Sequence, residues 1–283
     1  MNKKTFAGIE SQFSGKDDSA IWLQSIPYDG TSTWGKGADK GFDAFMDAAE
    51  NMELYDIETD SEVYRKGIHL LKNAPPFSSP EEMYQWTYEN TQELLSHDKF
   101  LTFFGGEHSI SIGIIKAFYE HFENLTVLQI DAHADQRPTY GGTPYNHACA
   151  VYDAGRHCNL LQVGIRSMDV GEKSFMVDDK TWYGHEIIGR LDWIPSVIEK
   201  MTDEVYITVD LDAFDSSIMP ATGTPEPGGM TWQQVIELLQ KTFSRKNVVG
   251  FDIVELAPIP GMKAPQFLAA KLYYKMLSYK FKG

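Results

Sequence analysis

The stretch TVLQIDAHAD, residues 126–135, consists of an apolar run followed by three polar side chains that alternate with alanines. The residues from Thr126 to Ile130 favour extended backbone, and this run predicts a strand. Side chains at positions i, i+2 and i+4 of extended backbone project to one side, so Asp131, His133 and Asp135 can converge on one cation or bridge two. The alternative is a solvated acidic loop, which the strand in front and the strict alternation disfavour.

Runs of this kind recur along the chain with helical segments between them. Most are continuously apolar rather than alternating, so their strands should be buried on both faces, as in a parallel sheet covered by helices. The predicted fold is therefore α/β, a three-layer α/β/α sandwich with a mainly parallel central sheet, in a single domain spanning residues 1–283. The other predicted strands are Ile21 to Ile26, Phe100 to Phe104, Leu160 to Ile165, Val205 to Val209 and Val248 to Val254.

Capping residues mark the starts of helices. An N-cap serine, Ser79, and a capping-box acid, Glu82, flank Pro80 at the first helical position. They predict a helix that ends near His97. Two more helices are predicted, Val235 to Phe243 behind the capping pair Thr231 and Gln234, and a closing helix from Gln266 to Tyr279.

A glycine-rich segment runs from Gly30 to Gly41 and contains four glycines. It predicts a long loop that could lie over a site. Within it, Trp34 is interpreted more readily as a packed aromatic side chain than as part of an entrance.

Composition and charge restrict the class of partner. A formal net charge of −15 makes nucleic acid or an anionic membrane an unsuitable partner, whereas a small cationic substrate would be attracted. The sequence has no signal-peptide pattern and no apolar stretch of bilayer length, so a cytoplasmic protein is expected. Cys149 and Cys158 are too few for a disulfide framework and are expected to be reduced thiols.

Two further clusters of metal-type ligands follow predicted strands, at the edge where open α/β sheets place their sites. In the segment GGEH, residues 105–108, the glycines allow a tight turn that brings His108 into the crevice. Asp210 and Asp212 leave the run from Val205 to Val209, and their carboxylates would repel each other without a cation between them. A histidine after one strand is usually a structural residue, so the coincidence of three clusters carries the prediction.

Together the three clusters offer four carboxylates and two imidazoles, enough for two divalent cations with bridging oxygens. Carboxylate-rich coordination without thiolates suits Mn²⁺ better than Zn²⁺, so the sequence predicts two Mn²⁺ per chain. Two such ions roughly 3.5 to 4 Å apart would lower the pKa of water and supply hydroxide near neutral pH. The predicted ligands are His108, Asp131, His133, Asp135, Asp210 and Asp212.

Several motifs resemble, in the same order, those of the ureohydrolase family, which contains arginases, agmatinases and related amidinohydrolases. The resemblance spans most of the chain and implies an arginase-like α/β/α fold and hydrolysis of a linear amidine. The family's six metal ligands fall on the six residues named above. The motifs are GGEHS at 105–109, DAHAD at 131–135, DLDAFD at 210–215, TGTPEPGGMT at 222–231 and DIVELAP at 252–258.

The resemblance also implies roles that spacing alone does not reveal. His147 in YNHACA corresponds to the proton-transfer histidine, and Glu255 in DIVELAP corresponds to the glutamate that receives the guanidinium group. Asp135 is expected to orient the attacking hydroxide. Without the resemblance, His147 would be interpreted as a structural histidine and Glu255 as a helix-start or surface acid.

The branch of the family is indicated by two segments, Gln136 to Cys149 and Gly37 to Tyr55, which resemble agmatinases more than arginases. The expected reaction is hydrolysis of agmatine to putrescine and urea, and the resemblance implies a homo-oligomer, either a trimer or a hexamer. Guanidinobutyrase, arginase and formimidoylglutamase activities stay open, as does a catalytically silent regulatory role. A metal-dependent deacetylase would centre on a single metal and would not need His108 and Asp135.

Some positions depart from the family pattern or add a charge beside the site. Ser216 replaces a proline after Asp215, Asn146 replaces a serine before His147, and Gly41-Phe42 replaces a glycine-proline pair. Arg137 directly follows the metal loop, where it could bind a carboxylate-bearing substrate such as guanidinobutyrate. A structural ion pair is the alternative for Arg137.

Overall fold

The computed structural model describes residues 5–282, and within that range eight strands form one continuous sheet. Every pair of neighbouring strands is parallel, and the order across the sheet is β2-β1-β3-β8-β7-β4-β5-β6. The strands are β1 Ile21–Ile26, β2 Ile68–Leu70, β3 Phe100–Gly105, β4 Thr126–Ile130, β5 Asn159–Ile165, β6 Thr181–Tyr183, β7 Glu204–Asp210 and β8 Asn247–Val254.

Helices cover both faces of the sheet. Successive side chains of β7 alternate between two hydrophobic cores, with Val205 and Ile207 in one and Tyr206 in the other. This alternation confirms the three-layer α/β/α arrangement and the parallel sheet. The helices are α1 Gly41–Ala49, α2 Pro80–Leu95, α3 Ile110–His121, α4 Ala154–His157, α5 Gly184–Ile187, α6 Ile194–Lys200, α7 Trp232–Arg245 and α8 Ala264–Lys280. The first core includes side chains of α1, α6, α7 and α8, and the second includes side chains of α2, α3 and α4.

The six predicted strands are confirmed to within one residue at each end, whereas β2 and β6 were not predicted. The Thr231 and Gln234 capping box also forms, with each side chain accepting a backbone N–H of the other residue. At the start of α2 the pattern is shifted. Ser79 accepts the Glu82 backbone N–H, but the Glu82 carboxylate accepts the backbone N–H and hydroxyl of Ser78.

Among residues 5–282, no helix combines the length and apolarity needed to cross a bilayer.

Candidate metal centre and active site

The candidate site residues lie at the carboxyl ends of four adjacent central strands. The order β3-β8-β7-β4 brings together His108, Glu255, Asp210 and Asp131, which follow or end these strands. Gly106 makes the turn after β3 possible, because a Cβ there would lie 1.8 Å from the carbonyl oxygen of Tyr28. Residues that are far apart in sequence therefore meet at one edge of the sheet.

The predicted metal ligands form two groups. In the first, His108 Nδ1 lies 3.1 Å from Asp131 Oδ2, 3.2 Å from Asp135 Oδ2 and 3.3 Å from Asp210 Oδ2. In the second, His133 Nδ1 lies 2.9 Å from Asp212 Oδ2 and 3.8 Å from Asp131 Oδ1. Asp131 belongs to both groups, one oxygen in each, which is the arrangement of a carboxylate that bridges two cations.

Backbone N–H groups hold the carboxylates in place. His133 N–H donates to Asp131 Oδ1 at 2.7 Å, and Asp212 N–H donates to Asp210 Oδ1 at 2.8 Å. The Gln129 amide donates to the other Asp131 oxygen at 2.7 Å. These donors fix the carboxylate orientations before any ligand is bound.

A buried hydrogen-bond chain stands behind His108. His108 Nε2 lies 2.9 Å from the Thr208 hydroxyl, which donates to Asp252 Oδ1 at 2.7 Å. The Tyr206 hydroxyl donates to the other Asp252 oxygen at 2.7 Å. Thr208 has a single hydroxyl proton, which it donates to Asp252. His108 Nε2 must therefore be protonated and donate to the Thr208 oxygen. In the neutral imidazole the lone pair is then on Nδ1. Burial disfavours a charge on this ring, but the three carboxylates outweigh burial and raise the pKa of His108 well above its ordinary value, so the metal-free ring binds a second proton.

That lone pair gives a test of whether a cation fits the site. His108 Nδ1 is buried and, among residues 5–282, has no well-aligned hydrogen-bond partner, although three carboxylate oxygens lie within 3.3 Å. A lone pair facing carboxylate oxygens is repulsive unless a proton or a cation lies between them. The donors are imidazole nitrogen and carboxylate oxygen, a set that suits divalent cations such as Mn²⁺. The residues therefore fit the predicted metal.

The electrostatics of the two groups lead to the same conclusion. Burial, followed by the repulsion of Asp131, raises the pKa of Asp135 to about 6. Burial disfavours a charge on His133, but Asp212 and its neighbours outweigh that effect and raise the His133 pKa to about 11. Burial and the neighbouring Asp212 and Asp131 raise the pKa of Asp210 well above its ordinary value. The charges of this cluster are compensated only when protons or cations are bound.

Two site residues adopt backbone conformations that are rare outside glycine. Asp135 has φ of 49° and Glu255 has φ of 68°. Such left-handed positions cost about 1–3 kcal/mol each and occur most often at functional sites. At Asp135 the turn means that convergence of the DAHAD side chains depends on this conformation as well as on alternation along an extended segment.

Glu255 is buried beside the first ligand group. Its Oε1 accepts the His108 backbone N–H at 2.8 Å, and its own N–H donates to the Gly106 carbonyl oxygen at 2.8 Å. Burial, and then the nearby Glu107, raise the pKa of Glu255 well above its ordinary value. The interpretation of Glu255 from spacing alone, as a helix-start or surface acid, is wrong. It directly follows β8, the same signal that identified the other three clusters.

His147 begins a short 3-10 helix, His147–Cys149, and lines the same cavity. Asn146 caps this helix by accepting the Ala148 backbone N–H at 3.1 Å, which is the function expected of a serine there. Burial, and then the positive charges expected on His133 and His108, lower the His147 pKa to about 4. His147 is therefore neutral at neutral pH in the resting site.

The cavity has a volume of about 260 Å³ and is lined by both ligand groups, Glu255 and His147. Near its mouth, the Arg137 guanidinium lies over the Tyr140 ring at 4.4 Å, with Arg137 Nε 3.4 Å from Glu172 Oε2. This geometry matches the structural ion pair that the sequence left open for Arg137. Asp169 and Glu172 also line the cavity, and Glu172 is buried.

The glycine-rich segment lies over the site as the sequence suggested. Thr33 lines the cavity, and the Gly35 N–H donates to the Gly223 carbonyl oxygen at 3.1 Å. Trp34 is 84% exposed, so the prediction of a packed aromatic side chain there was wrong. Its neighbours Thr33 and Gly35 face the cavity and Gly223, so the indole of Trp34 is directed towards solvent.

The structure accounts for the departure at Gly41-Phe42 and leaves the one at Ser216 unexplained. A Cβ at Gly41 would lie 2.5 Å from the Leu256 carbonyl oxygen, so α1 begins in close contact with the segment after Glu255. Phe42 packs in the core against Phe45 and Phe104. Nothing in the structure explains Ser216. The adjacent Asp215 accepts backbone N–H groups of Ser217, Gly228 and Gly229.

Comparisons with known proteins agree with this geometry. Residues 19–278 match the family model described as the Arginase family. The chain is 31% identical over 279 residues to the N(1)-aminopropylagmatine ureohydrolase of Synechocystis sp., covering 93% of this chain and 89% of the relative. It is 29% identical to the agmatinase of Pyrococcus horikoshii, with 92% of each chain covered.

A solved structure is similar over nearly the whole of both chains. The agmatine ureohydrolase of Thermoplasma volcanium superposes with a TM-score of 0.88 at 28% identity, covering 100% of this chain and 96% of that chain. The family match extends from before β1 almost to the end of α8 and includes every residue of the two ligand groups. The resemblance predicted from the motifs is thereby confirmed, and the chain belongs to the arginase family.

Proposed function

We propose that this chain is a ureohydrolase of the agmatinase or aminopropylagmatine type, releasing urea from a small cationic guanidino compound. The observation that carries the proposal is the arrangement of two interlocked ligand groups, Glu255 and His147 around one cavity. We further propose that residues 1–283 act as one domain, since the strands from β1 to β8 lie in one sheet. Cytoplasmic location and assembly as a trimer or hexamer stay predictions.

The proposed cofactor is two Mn²⁺ per chain. One ion would be held by His108, Asp131, Asp135 and Asp210, and the other by Asp131, His133 and Asp212. This division follows the two ligand groups, with Asp131 shared and Asp210 in contact with His108. When bound, the ions would polarise water and make hydroxide available near neutral pH.

The chain's own residues have separate proposed tasks. Glu255 receives the guanidinium group, and a cation beside it would lower its raised pKa and favour the carboxylate. Asp135, whose Oδ2 lies 3.2 Å from His108 Nδ1, is proposed to orient the nucleophile.

His147 is proposed to deliver the proton to the leaving amine. Because His147 is neutral at rest, that proton must first be taken up during the reaction, so His147 acts as a shuttle rather than as a stored acid.

Agmatine is the favoured substrate, and N(1)-aminopropylagmatine is the competing one of the same class. Both would place a guanidinium at Glu255, and the Asp169 carboxylate, which lines the same cavity, is proposed to face the cationic amine. Relatives of this chain carry both names, agmatinase and N(1)-aminopropylagmatine ureohydrolase. A guanidino acid is less well suited, because Arg137 is already paired with Glu172.

The test is urea release by chain loaded with Mn²⁺, measured with agmatine, N(1)-aminopropylagmatine, guanidinobutyrate and arginine at equal concentrations. The proposal expects kcat/KM to be highest for one of the first two and expects activity to disappear on chelation. Metal analysis of the active protein should give close to two divalent ions per chain. One ion per chain would contradict the binuclear site, and absence of urea from all four substrates would favour a silent family member.

A further inference from the structure

Thr31, in the loop over the site, makes contacts that none of the roles above uses. Its hydroxyl oxygen lies 2.7 Å from Glu107 Oε2, 3.0 Å from His147 Nδ1 and 3.0 Å from the His147 backbone nitrogen. Thr31 therefore joins the loop after β1, the turn after β3 and the loop that carries His147.

The directions of these hydrogen bonds follow from donor counting. A threonine hydroxyl has one proton and can accept two hydrogen bonds. The proton goes to the fully buried Glu107 in its carboxylate form, whose other oxygen accepts the Ser109 hydroxyl at 2.6 Å. Burial raises the pKa of Glu107 to about 7, so this direction applies above that pH. The His147 backbone N–H can only donate. The third contact is with His147 Nδ1, which must then also carry a proton and donate it to the Thr31 hydroxyl oxygen.

This pattern selects one tautomer of the imidazole. A neutral histidine with its proton on Nδ1 has its lone pair on Nε2, at the far edge of the ring from Thr31. The ring is steadied further by Tyr140, which meets it edge-on with the centroids 6.2 Å apart. Nε2 is thus the only ring nitrogen free to take up and release a proton.

We infer that Thr31 is a positioning residue that holds His147 in the tautomer with Nδ1 protonated, leaving Nε2 as the proton-transfer atom. The catalytic part of this inference rests on the proposed function. The tautomer itself does not, because it follows from hydrogen bonds within the chain.

Kinetics of chain loaded with Mn²⁺ test whether Thr31 acts through His147. Thr31→Val keeps the shape and removes the hydroxyl, and we expect kcat to fall roughly 10- to 100-fold with KM changed less than about threefold. Thr31→Ser, which restores the hydroxyl, should return kcat to within about threefold of the wild-type value. In a His147→Asn background, Thr31→Val should have almost no further effect on kcat.

The matched control is Thr59→Val. Thr59 is a buried threonine whose hydroxyl, like that of Thr31, donates to a carboxylate, that of Asp56 at 3.0 Å, but Asp56 does not line the cavity, whereas His147 does. Its substitution should lower the melting temperature without changing kcat. An equal loss of kcat for Thr31→Val with and without His147 would overturn the inference, because Thr31 would then not act through His147.

Nitrogen-15 NMR of the histidine rings in the full chain, without paramagnetic metal, tests the tautomer independently of activity. The His147 signals, assigned by their absence in His147→Asn, should report a protonated Nδ1 and an unprotonated Nε2 at pH 9, where Glu107 is a carboxylate. The opposite tautomer in the wild-type chain would overturn the inference even if the enzyme were active. If the chain released no urea, the proposed function would fail while the NMR result still decided the tautomer.

Discussion

Asp131→Asn is the substitution with the widest predicted effect on metal binding, because Asp131 belongs to both ligand groups. Each of its oxygens also accepts an N–H, Oδ1 from His133 and Oδ2 from the Gln129 amide. An asparagine would have to turn its NH₂ towards one of these donors, whichever way its amide is placed. Gln129 cannot simply flip, since its own carbonyl oxygen accepts the Gln162 amide at 2.6 Å.

The size of the effect follows from these contacts. Leaving a buried donor without its acceptor costs about 1–3 kcal/mol, more when the acceptor was charged. Loss of an outer hydrogen-bond partner alone weakens metal binding roughly 10- to 100-fold, and Asp131→Asn removes a ligand charge as well. We therefore expect affinity for each of the two ions to fall by at least that factor.

Three variants compared by metal analysis after desalting make the expectation specific. Asp131→Asn should lose both ions, whereas Asp135→Asn should lose mainly the ion near His108 and Asp212→Asn mainly the ion near His133. Asp56→Asn is the control, since Asp56 is buried and accepts a backbone N–H at 2.9 Å but lies outside the cavity. If Asp131→Asn and Asp135→Asn each lost the same single ion, the shared role of Asp131 would be refuted.

The remaining predictions concern the proton shuttle, the support of His108, the charge at the mouth and the effect of pH. His147→Asn should keep both metals and lower kcat by about 10² to 10⁴, and near-wild-type turnover with full metal content would remove it from the mechanism. Thr208→Val should weaken metal binding roughly 10- to 100-fold, because His108 Nε2 and Asp252 both lose a hydrogen-bond partner. Thr242→Val is the control and should leave metal binding unchanged, because the buried Thr242 hydroxyl donates to the Leu238 carbonyl oxygen within α7. Equal metal content in the two variants would contradict the prediction. Arg137→Ala should raise kcat/KM for agmatine relative to guanidinobutyrate by about three- to tenfold, since it removes a partly screened positive charge, and an unchanged ratio would exclude Arg137 from substrate selection. Since the His133 pKa is raised to about 11, the metal-free site holds a proton at pH 7 that metal binding must expel, and Asp135, with a pKa of about 6, holds another below that pH. Metal affinity should therefore rise with pH. Calorimetry in buffers of different ionisation enthalpy that detects no proton release would contradict this.

The central strands could be predicted from the sequence because a strand buried on both faces leaves a continuous apolar run. The edge strands β2 and β6 escaped prediction for the complementary reason. Each has only three residues, Ile68–Leu70 and Thr181–Tyr183, too few for any periodicity. The pairing of β6 with β5 is also interrupted by a register shift between Val163 and Ile165. Their extended state depends on a neighbouring strand rather than on local preference.

The ligand clusters could be predicted because each one directly follows a strand, so position in the chain and position in space carry the same information. The support behind His108 could not. Thr208 and Asp252 lie inside the runs that predicted β7 and β8, where a polar residue has no local signal. They are opposite each other only because β7 pairs with β8 in that register, a fact of sheet order. Thr31 is 116 residues from His147, and no motif links them.

Glu255 connects the proposed metal site to the proposed substrate site through the backbone. Its Oε1 accepts the N–H of His108, and its N–H donates to the carbonyl oxygen of Gly106, so a shift of β8 relative to β3 would move the proposed metal ligand His108 and the proposed guanidinium acceptor Glu255 together. The position of this end of the cavity is thus set by the sheet. Other residues that line the cavity, such as Arg137 and Thr33, come instead from loops whose side chains can change without moving a strand. Selection among guanidino compounds in this chain should therefore reside in those loops, while the chemistry resides in the strand ends.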